Sequence, residues 1–356
     1  MSDRTDPHSL PLKERLDRKV STALALRARR LIVFLTPGYE APSGGVLSIA
    51  ALYKESKALR RVHGARVVMC TVPGEPLLPK YTWFENSNYI LNLNAVLERC
   101  RPLDYLLLHV PEYAAASGQM ATWLASAGGP LLRKAREVHF NVMVQNIDLI
   151  DEGRLRELTH FGRVTCTTAH EAYSNLATRE KLGVTLHRLS VLSGPELYTR
   201  SGYREKEQLL IVSHDEHPLK AQVLGQLARA LPDLKIEVVG GLTYEDYKRL
   251  VGRAKWSLTF GEGLDGYFVE PVYSGGVSFA VFNERFFTPA FARLETVYPS
   301  WETLLERMVP DLRRLDDPGP YERCWRQTFD LLGELYGVEK FRENLRKFYR
   351  GEYTFP

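Results

Sequence analysis

Two glutamates with seven residues between them lie in the stretch 256–283, beside the predicted start of a helix. Trp256 to Phe260 is a short apolar strand, and a glycine-rich turn carrying Glu262 follows it. The next helix should begin near Gly266 and carry Glu270 in its first turns. A helix N-terminus offers unpaired N–H groups that suit phosphate, and carboxylates nearby accept hydrogen bonds from vicinal hydroxyls. The pattern favours a sugar-nucleotide site, although such glutamate pairs also occur on solvated helix faces.

The elements that must position these glutamates alternate between strand and helix along the chain. Apolar runs of the buried parallel-strand type recur with short connections between them and helical segments. They include 31–36, 65–72, 104–110, 137–146 and 208–213. Such alternation predicts parallel, doubly wound sheets, and 356 residues suggest two domains. Towards the chain end we predict helices separated by turns at Pro310 and at 317–320.

The order of strand, glycine turn, Glu-x7-Glu helix and Ser-Gly turn resembles the signature of retaining GT-B glycosyltransferases, especially the large family-4 class. The resemblance implies an α/β fold of the GT-B type, in which two Rossmann-like, doubly wound domains face a cleft. It divides the chain into a basic N-terminal helix (1–30), an acceptor-side domain (31–195), a linker (196–207), a nucleotide-sugar donor domain (208–335) and a C-terminal helix that crosses back to the first domain (336–356).

The resemblance also implies roles for residues of the second half. Glu270 would accept hydrogen bonds from the ribose diol, and Glu262 would act on the transferred sugar as a catalytic residue. Lys220 matches a lysine that holds the donor diphosphate, but His214 stands where the family has an arginine. The backbone N–H groups of Asp265, Gly266 and Tyr267 would neutralise the diphosphate as it leaves.

Residues of the first half extend the predicted site. Gly44 and Gly45 lie where the first strand turns into the first helix, and there glycine lets the backbone approach a ligand. The resemblance assigns this loop to the donor phosphates, while a helix-capping turn is the alternative. His109 and Glu112 follow a strand and should face the carboxyl edge as catalytic residues. Pro111 replaces the family's sugar-contacting histidine, and a structural imidazole is the alternative for His109.

Composition excludes several other classes of site. Cys70, Cys100, Cys166 and Cys324 are far apart and form no CxxC or Cys/His pattern, so neither a zinc site nor a disulfide framework is indicated. No Asp-x-Asp pair occurs, so no metal is implied, and no nucleic-acid motif is present. No cofactor is expected, because a nucleotide sugar is a substrate.

The N-terminal segment carries the basic excess of the chain. Residues 1–30 hold eight Lys/Arg and four Asp/Glu, an excess equal to the net charge of +4 for the whole chain. Leu12, Leu16, Val20 and Leu24 fall at helical spacing. This helix either lies on anionic lipid or packs on its own domain or a second subunit, and the absence of Trp and Phe favours packing. We expect a cytoplasmic protein, with peripheral contact at the inner membrane face and homo-oligomerisation left open.

The function implied is the retaining transfer of a sugar, hexosyltransferase-like, from a nucleotide-sugar donor to a glycan or lipid-linked acceptor. The pair Gln145-Asn146 resembles one in bacterial rhamnosyltransferase-like members, which points to surface polysaccharide biosynthesis such as lipopolysaccharide or capsule. The alternative is a catalytically degenerate GT-B subunit that binds a partner transferase or a glycan.

Overall fold

The computed structural model describes residues 11–356, which form two compact units. Unit 1 contains residues 11–191 together with Phe341–Pro356, and unit 2 contains Leu192–Lys340. The first ten residues of the predicted basic helix lie outside the described residues. Within residues 11–356, no helix is long and apolar enough to cross a membrane.

Unit 1 is built on a sheet of seven parallel strands. Their spatial order is β3-β2-β1-β4-β5-β6-β7, so the order reverses between β1 and β4. Leu31 to Leu35 are 0% exposed, as expected for a parallel strand that is covered on both faces. The strands are β1 (Arg30–Thr36), β2 (Arg66–Thr71), β3 (Ile90–Asn92), β4 (Tyr105–Pro111), β5 (Val138–Val144), β6 (Arg163–Thr168) and β7 (Thr185–Arg188).

Among residues 11–191 of unit 1, one helix precedes the first strand and the others lie between successive strands. A π-helical stretch, Leu124–Gly128, joins the two short helices Gln119–Trp123 and Gly129–Leu132. The helices are α1 (Leu12–Leu26), α2 (Gly44–Ala58), α3 (Arg60–His63), α4 (Leu93–Arg99), α5 (Glu112–Ala116), α6 (Gln119–Trp123), α7 (Gly129–Leu132), α8 (Glu152–Thr159) and α9 (Leu176–Leu182).

Unit 2 contains a smaller sheet of five parallel strands in the order β12-β11-β10-β8-β9. The strands are β8 (Glu207–Val212), β9 (Lys235–Val238), β10 (Ala254–Leu258), β11 (Val277–Val281) and β12 (Val297–Tyr298). The helices are α10 (Lys220–Ala230), α11 (Tyr244–Arg253), α12 (Gly266–Tyr273), α13 (Trp301–Leu315) and α14 (Pro318–Leu335). The last helix, α15 (Val338–Arg350), begins in unit 2 and continues into unit 1. The prediction of two doubly wound, parallel α/β units is confirmed.

The turn predicted at Pro310 is wrong, because this proline lies inside α13. An interior proline costs a helix about 3 kcal/mol. Leu304, Met308, Leu312 and Leu315 lie on one side of α13 and are at most 3% exposed. Each such buried side chain contributes about 1.5–3 kcal/mol, so the amphipathic face outweighs the proline.

The apolar face of α1 is open to solvent rather than packed on unit 1. Leu12, Leu16, Val20 and Leu24 are 70%, 54%, 57% and 42% exposed. The helix is attached to unit 1 by its other side, where Glu14 pairs with Lys80 at 2.9 Å, Arg18 donates to the carbonyl of Ile90 at 3.4 Å and Ala25 is fully buried. Packing of this face on its own domain, one of the two favoured alternatives, is therefore wrong.

Candidate functional site

The carboxyl edge of the sheet in unit 2 brings together the ends of β8 and β10. Ser213, directly after β8, accepts a hydrogen bond at its Oγ from the backbone N–H of Phe260 at 2.9 Å. The Lys220 ammonium donates to the carbonyls of Ser213 and Asp215 at 2.9 and 2.8 Å. As predicted, Lys220 opens α10. Its positive charge is thereby held at the strand ends, where ligands of doubly wound folds bind.

The N-terminus of α12 is capped by the side chain of Asp265. One carboxylate oxygen accepts from the N–H of Phe268 at 3.1 Å, and the other accepts from the hydroxyl of Thr259 at 2.6 Å. Burial raises the pKa of Asp265 to about 7, and these hydrogen bonds offset part of that rise. Of the N–H groups predicted to face a diphosphate, that of Tyr267 also lowers the pKa of the Asp265 carboxyl group. An anion at this helix end therefore has to share the N–H groups of Tyr267 and Phe268 with Asp265.

Glu270 lies in α12 within a group of tyrosines. The hydroxyl of Tyr244 donates to its Oε2 at 3.3 Å. Burial raises the pKa of Glu270 to about 7, and the hydrogen bonds from Tyr244 and Tyr198 offset part of the rise. The rings of Tyr244 and Tyr247 are stacked with centroids 6.2 Å apart. The carboxylate is therefore oriented before any ligand arrives, and a diol would share it with Tyr244.

The sequence did not lead us to predict the tyrosines around Glu270. Lys248 lies beside them, because its Nζ donates to the carbonyl of Leu197 at 2.8 Å and lies 5.0 Å from the ring centroid of Tyr198. A signal was present: Tyr244, Tyr247 and Lys248 are three and four residues apart and share one face of α11. The partner Tyr198 lies in the predicted linker, far away in sequence.

His214 and Glu262 are the remaining predicted site residues of unit 2. The exposed His214 ring is hydrogen-bonded through Nδ1 to the hydroxyl of Tyr267 at 2.9 Å. Glu262 is half-buried in the turn between β10 and α12. The next residue, Gly263, has φ +91°, and a Cβ there would lie 2.5 Å from Phe287. The turn that presents Glu262 thus requires glycine. All the predicted residues of unit 2 lie along one sheet edge.

The carboxyl edge of unit 1 joins Glu112 and the Gly44-Gly45 loop through Gln145. The Oε2 of Glu112 accepts from the backbone N–H groups of Gln145 and, at 2.9 Å, of Asn146. Burial raises the pKa of Glu112 to about 7. The Gln145 side chain donates to the carbonyl of Gly45 at 3.3 Å. Glu112 therefore ties the end of β4 to the end of β5, and Gln145 extends this link to the start of α2.

The prediction that His109 faces the carboxyl edge is wrong. Its side chain is 1% exposed, and its ring stacks on Phe34 with centroids 4.2 Å apart. Its two ring nitrogens are hydrogen-bonded to Asn141 at 3.0 Å and Tyr349 at 3.3 Å. Because β4 continues to Pro111, the histidine lies inside the sheet, and its burial lowers its pKa well below the ordinary value. The structural-imidazole alternative describes this geometry.

Comparison with known proteins relates the fold, but not the sequence, to other chains. No protein-family model and no curated protein matches this chain. Sucrose-phosphate synthase from Thermosynechococcus elongatus superposes with a TM-score of 0.57 at 12% identity, over 91% of this chain and 99% of that one. An α,α-trehalose 6-phosphate synthase from Burkholderia multivorans gives 0.54 at 11% identity, over 91% and 99%.

A third structure is similar to the same extent of this chain. The α,α-trehalose-phosphate synthase (UDP-forming) from Burkholderia vietnamiensis gives a TM-score of 0.51 at 11% identity, over 91% and 96% of the two chains. These neighbours are GT-B glycosyltransferases, and the two units of this chain have the α/β fold of that group.

Proposed function

We propose that this protein is a glycosyltransferase that uses a nucleotide-sugar donor and retains the anomeric configuration. The observation that carries the proposal is the half-buried carboxylate of Glu270, oriented by Tyr244 beside the N-terminus of α12. An acceptor-only group placed beside a helix terminus suits a ribose diol followed by a diphosphate. The GT-B fold supports the same function.

The chemistry assigned to these residues is electrostatic. The bond from the anomeric carbon to the diphosphate breaks, and a hydroxyl oxygen of the acceptor bonds to that carbon. The hydroxyl proton passes to the departing diphosphate or to solvent. Lys220 stabilises the negative charge that develops on the diphosphate, and Glu262 meets a hydroxyl of the transferred sugar. No separate cofactor takes part, because the nucleotide sugar is itself a substrate.

The acceptor is proposed to be a glycan or a lipid-linked sugar of bacterial surface polysaccharide. This assignment rests on the resemblance at Gln145-Asn146, and these residues lie at the carboxyl edge of unit 1 beside Gly45. Glu112 acts there as a positioning residue, since its Oε2 accepts from two backbone N–H groups.

The test is a thermal-shift screen of the full chain with nucleoside diphosphates and sugar nucleotides, beginning with UDP derivatives because one neighbour is UDP-forming. A ligand at a hundred times its dissociation constant stabilises the folded state by about 2.7 kcal/mol. The selected donor is then incubated with the protein, and release of nucleoside diphosphate is measured. A protein that no nucleotide stabilises would contradict the proposal.

A second candidate is a catalytically degenerate GT-B subunit that binds a partner transferase or a glycan without turnover. The observation that favours it is that groups needed for the donor already have hydrogen-bond partners within the protein, because Asp265 caps α12 and Tyr244 donates to Glu270. His214 in place of the family's arginine favours it as well. Donor hydrolysis in the absence of acceptor discriminates between the two, because a subunit that only binds releases no nucleoside diphosphate.

A further inference from the structure

A basic cavity lies at the amino edge of the sheet in unit 1, away from the strand ends considered above. It has a volume of about 250 Å³ and lies among α1, the end of α2, α3 and the start of β2. Among residues 11–356, its walls include Lys57, Arg60 and Arg66 on one side and Val20 and Leu24 of α1 on the other, with Asp17 as the single acidic side chain.

The charges of the three cations of this cavity are not neutralised by ion pairs among the described residues. Within residues 11–356, none of them forms an ion pair or a side-chain hydrogen bond. Burial lowers the pKa of Lys57, and the nearby Arg66 lowers it further. Burial and then Arg60 likewise lower the pKa of Arg66. Such uncompensated like charges around a cavity favour an anion.

The opposite wall of the cavity is apolar and continues beyond it. Val20 and Leu24 are 57% and 42% exposed, and Leu16 and Leu12 extend the same stripe by one and two further turns. A free inorganic anion would leave this apolar stripe exposed to water. An anionic headgroup attached to acyl chains matches both walls, because charge and apolar burial add at a bilayer interface.

We propose that this cavity binds the phosphate of an anionic phospholipid while the Leu12–Leu24 stripe of α1 inserts into the bilayer interface. The surface is separate from the proposed donor residues, which lie in unit 2 and, for the Gly44-Gly45 loop, at the opposite, carboxyl edge of the sheet in unit 1. It would hold the enzyme at the membrane where a lipid-linked acceptor is available, and in that respect it builds on the proposed function.

The test is co-sedimentation of the full chain with vesicles of phosphatidylcholine, alone or mixed with phosphatidylglycerol. Binding should require phosphatidylglycerol and decrease at high salt, because exposed charges are screened. The triple variant K57Q/R60Q/R66Q should bind about a hundredfold more weakly at low salt, from the contribution of each basic residue near an anionic surface. A matched control, R133Q/R136Q/R156Q, removes three exposed arginines elsewhere in unit 1 and should bind normally.

A second variant, L16S/V20S, alters only exposed side chains of α1 and should also lose vesicle binding. Nucleotide-induced stabilisation, measured in parallel, should be unchanged in every variant, so a failure of the membrane site is distinguishable from a failure of the donor site. Equal binding of the triple variant and the control would overturn the proposal. Stabilisation by glycerol phosphate without vesicle binding would also overturn it, because that result indicates a soluble anion as the ligand. A full-length dimer that does not bind vesicles and that L16S/V20S dissociates would overturn it as well, because the stripe would then be a subunit interface.

Discussion

Replacement of Glu270 by alanine should weaken nucleotide binding by about 30- to 150-fold. Each hydrogen bond from a neutral donor to a carboxylate contributes about 1.5–3 kcal/mol. A ribose diol offers two such bonds, but the hydroxyl of Tyr244 already donates to Oε2 at 3.3 Å, so part of the gain is an exchange. A net loss of about 2–3 kcal/mol corresponds to that range of dissociation constants.

The assay is titration calorimetry with the sugar nucleotide selected by the thermal-shift screen. A sugar nucleotide is preferred because its diphosphate diester does not titrate near neutrality. Asp233, an exposed residue of the turn before β9, supplies the matched control Asp233→Ala, which should leave the affinity unchanged. An unchanged affinity for Glu270→Ala would refute the ribose assignment.

The pH dependence gives an independent check on the same carboxylate. The pKa of Glu270 is raised to about 7 by burial, so the acceptor-only form is lost as the pH falls through that value. Affinity should therefore decrease below neutrality, by at most about tenfold for each pH unit. Glu270→Gln should remove this component of the profile. Tyr244→Phe should shift its midpoint upward, because the tyrosine hydrogen bond lowers the pKa of Glu270.

Three further predictions concern other residues. Glu262→Gln should lower kcat more than it raises KM for the donor, because its hydroxyl contact strengthens as the anomeric carbon gains charge; a change in KM alone would contradict this. Burial lowers the pKa of His187 to about 4, so this residue binds a proton more readily in the unfolded chain than in the folded protein. On account of His187, the free energy of unfolding should therefore be highest above about pH 6.5 and decrease as the pH falls towards 4. Urea unfolding should show about 2 kcal/mol lost between roughly pH 7 and 5 on this account, and an equal loss in His187→Gln would exclude it. Gly263→Ala should lower the melting temperature, since the φ of this residue is +91° and its Cβ would lie 2.5 Å from Phe287, whereas Gly44→Ala has open space and serves as the control. Equal melting temperatures would show that the turn at Gly263 accepts a side chain.

Local sequence was sufficient to predict the element types and the position of the central glutamates. Continuous apolar runs marked the buried strands, and the helix predicted near Gly266 begins there, as α12. The Ser-Gly-Gly stop and the following strand, observed as Val277–Val281, also agree with the prediction. These features depend on periodicity and on glycine within a few residues, so they can be read without knowing the neighbours in space.

Tertiary contacts decided which side chains share a site. Tyr198 and Tyr244 lie far apart in the sequence but both hydrogen-bond with Glu270. His109 looked like an edge residue because its strand was predicted to end one residue early, and packing against Phe34 places it in the interior. The exposure of α1 could not be predicted either, since an amphipathic pattern shows that a face is apolar but not what covers it. Burial, and with it each shifted pKa, depends on contacts between residues distant in the chain, which no local pattern encodes.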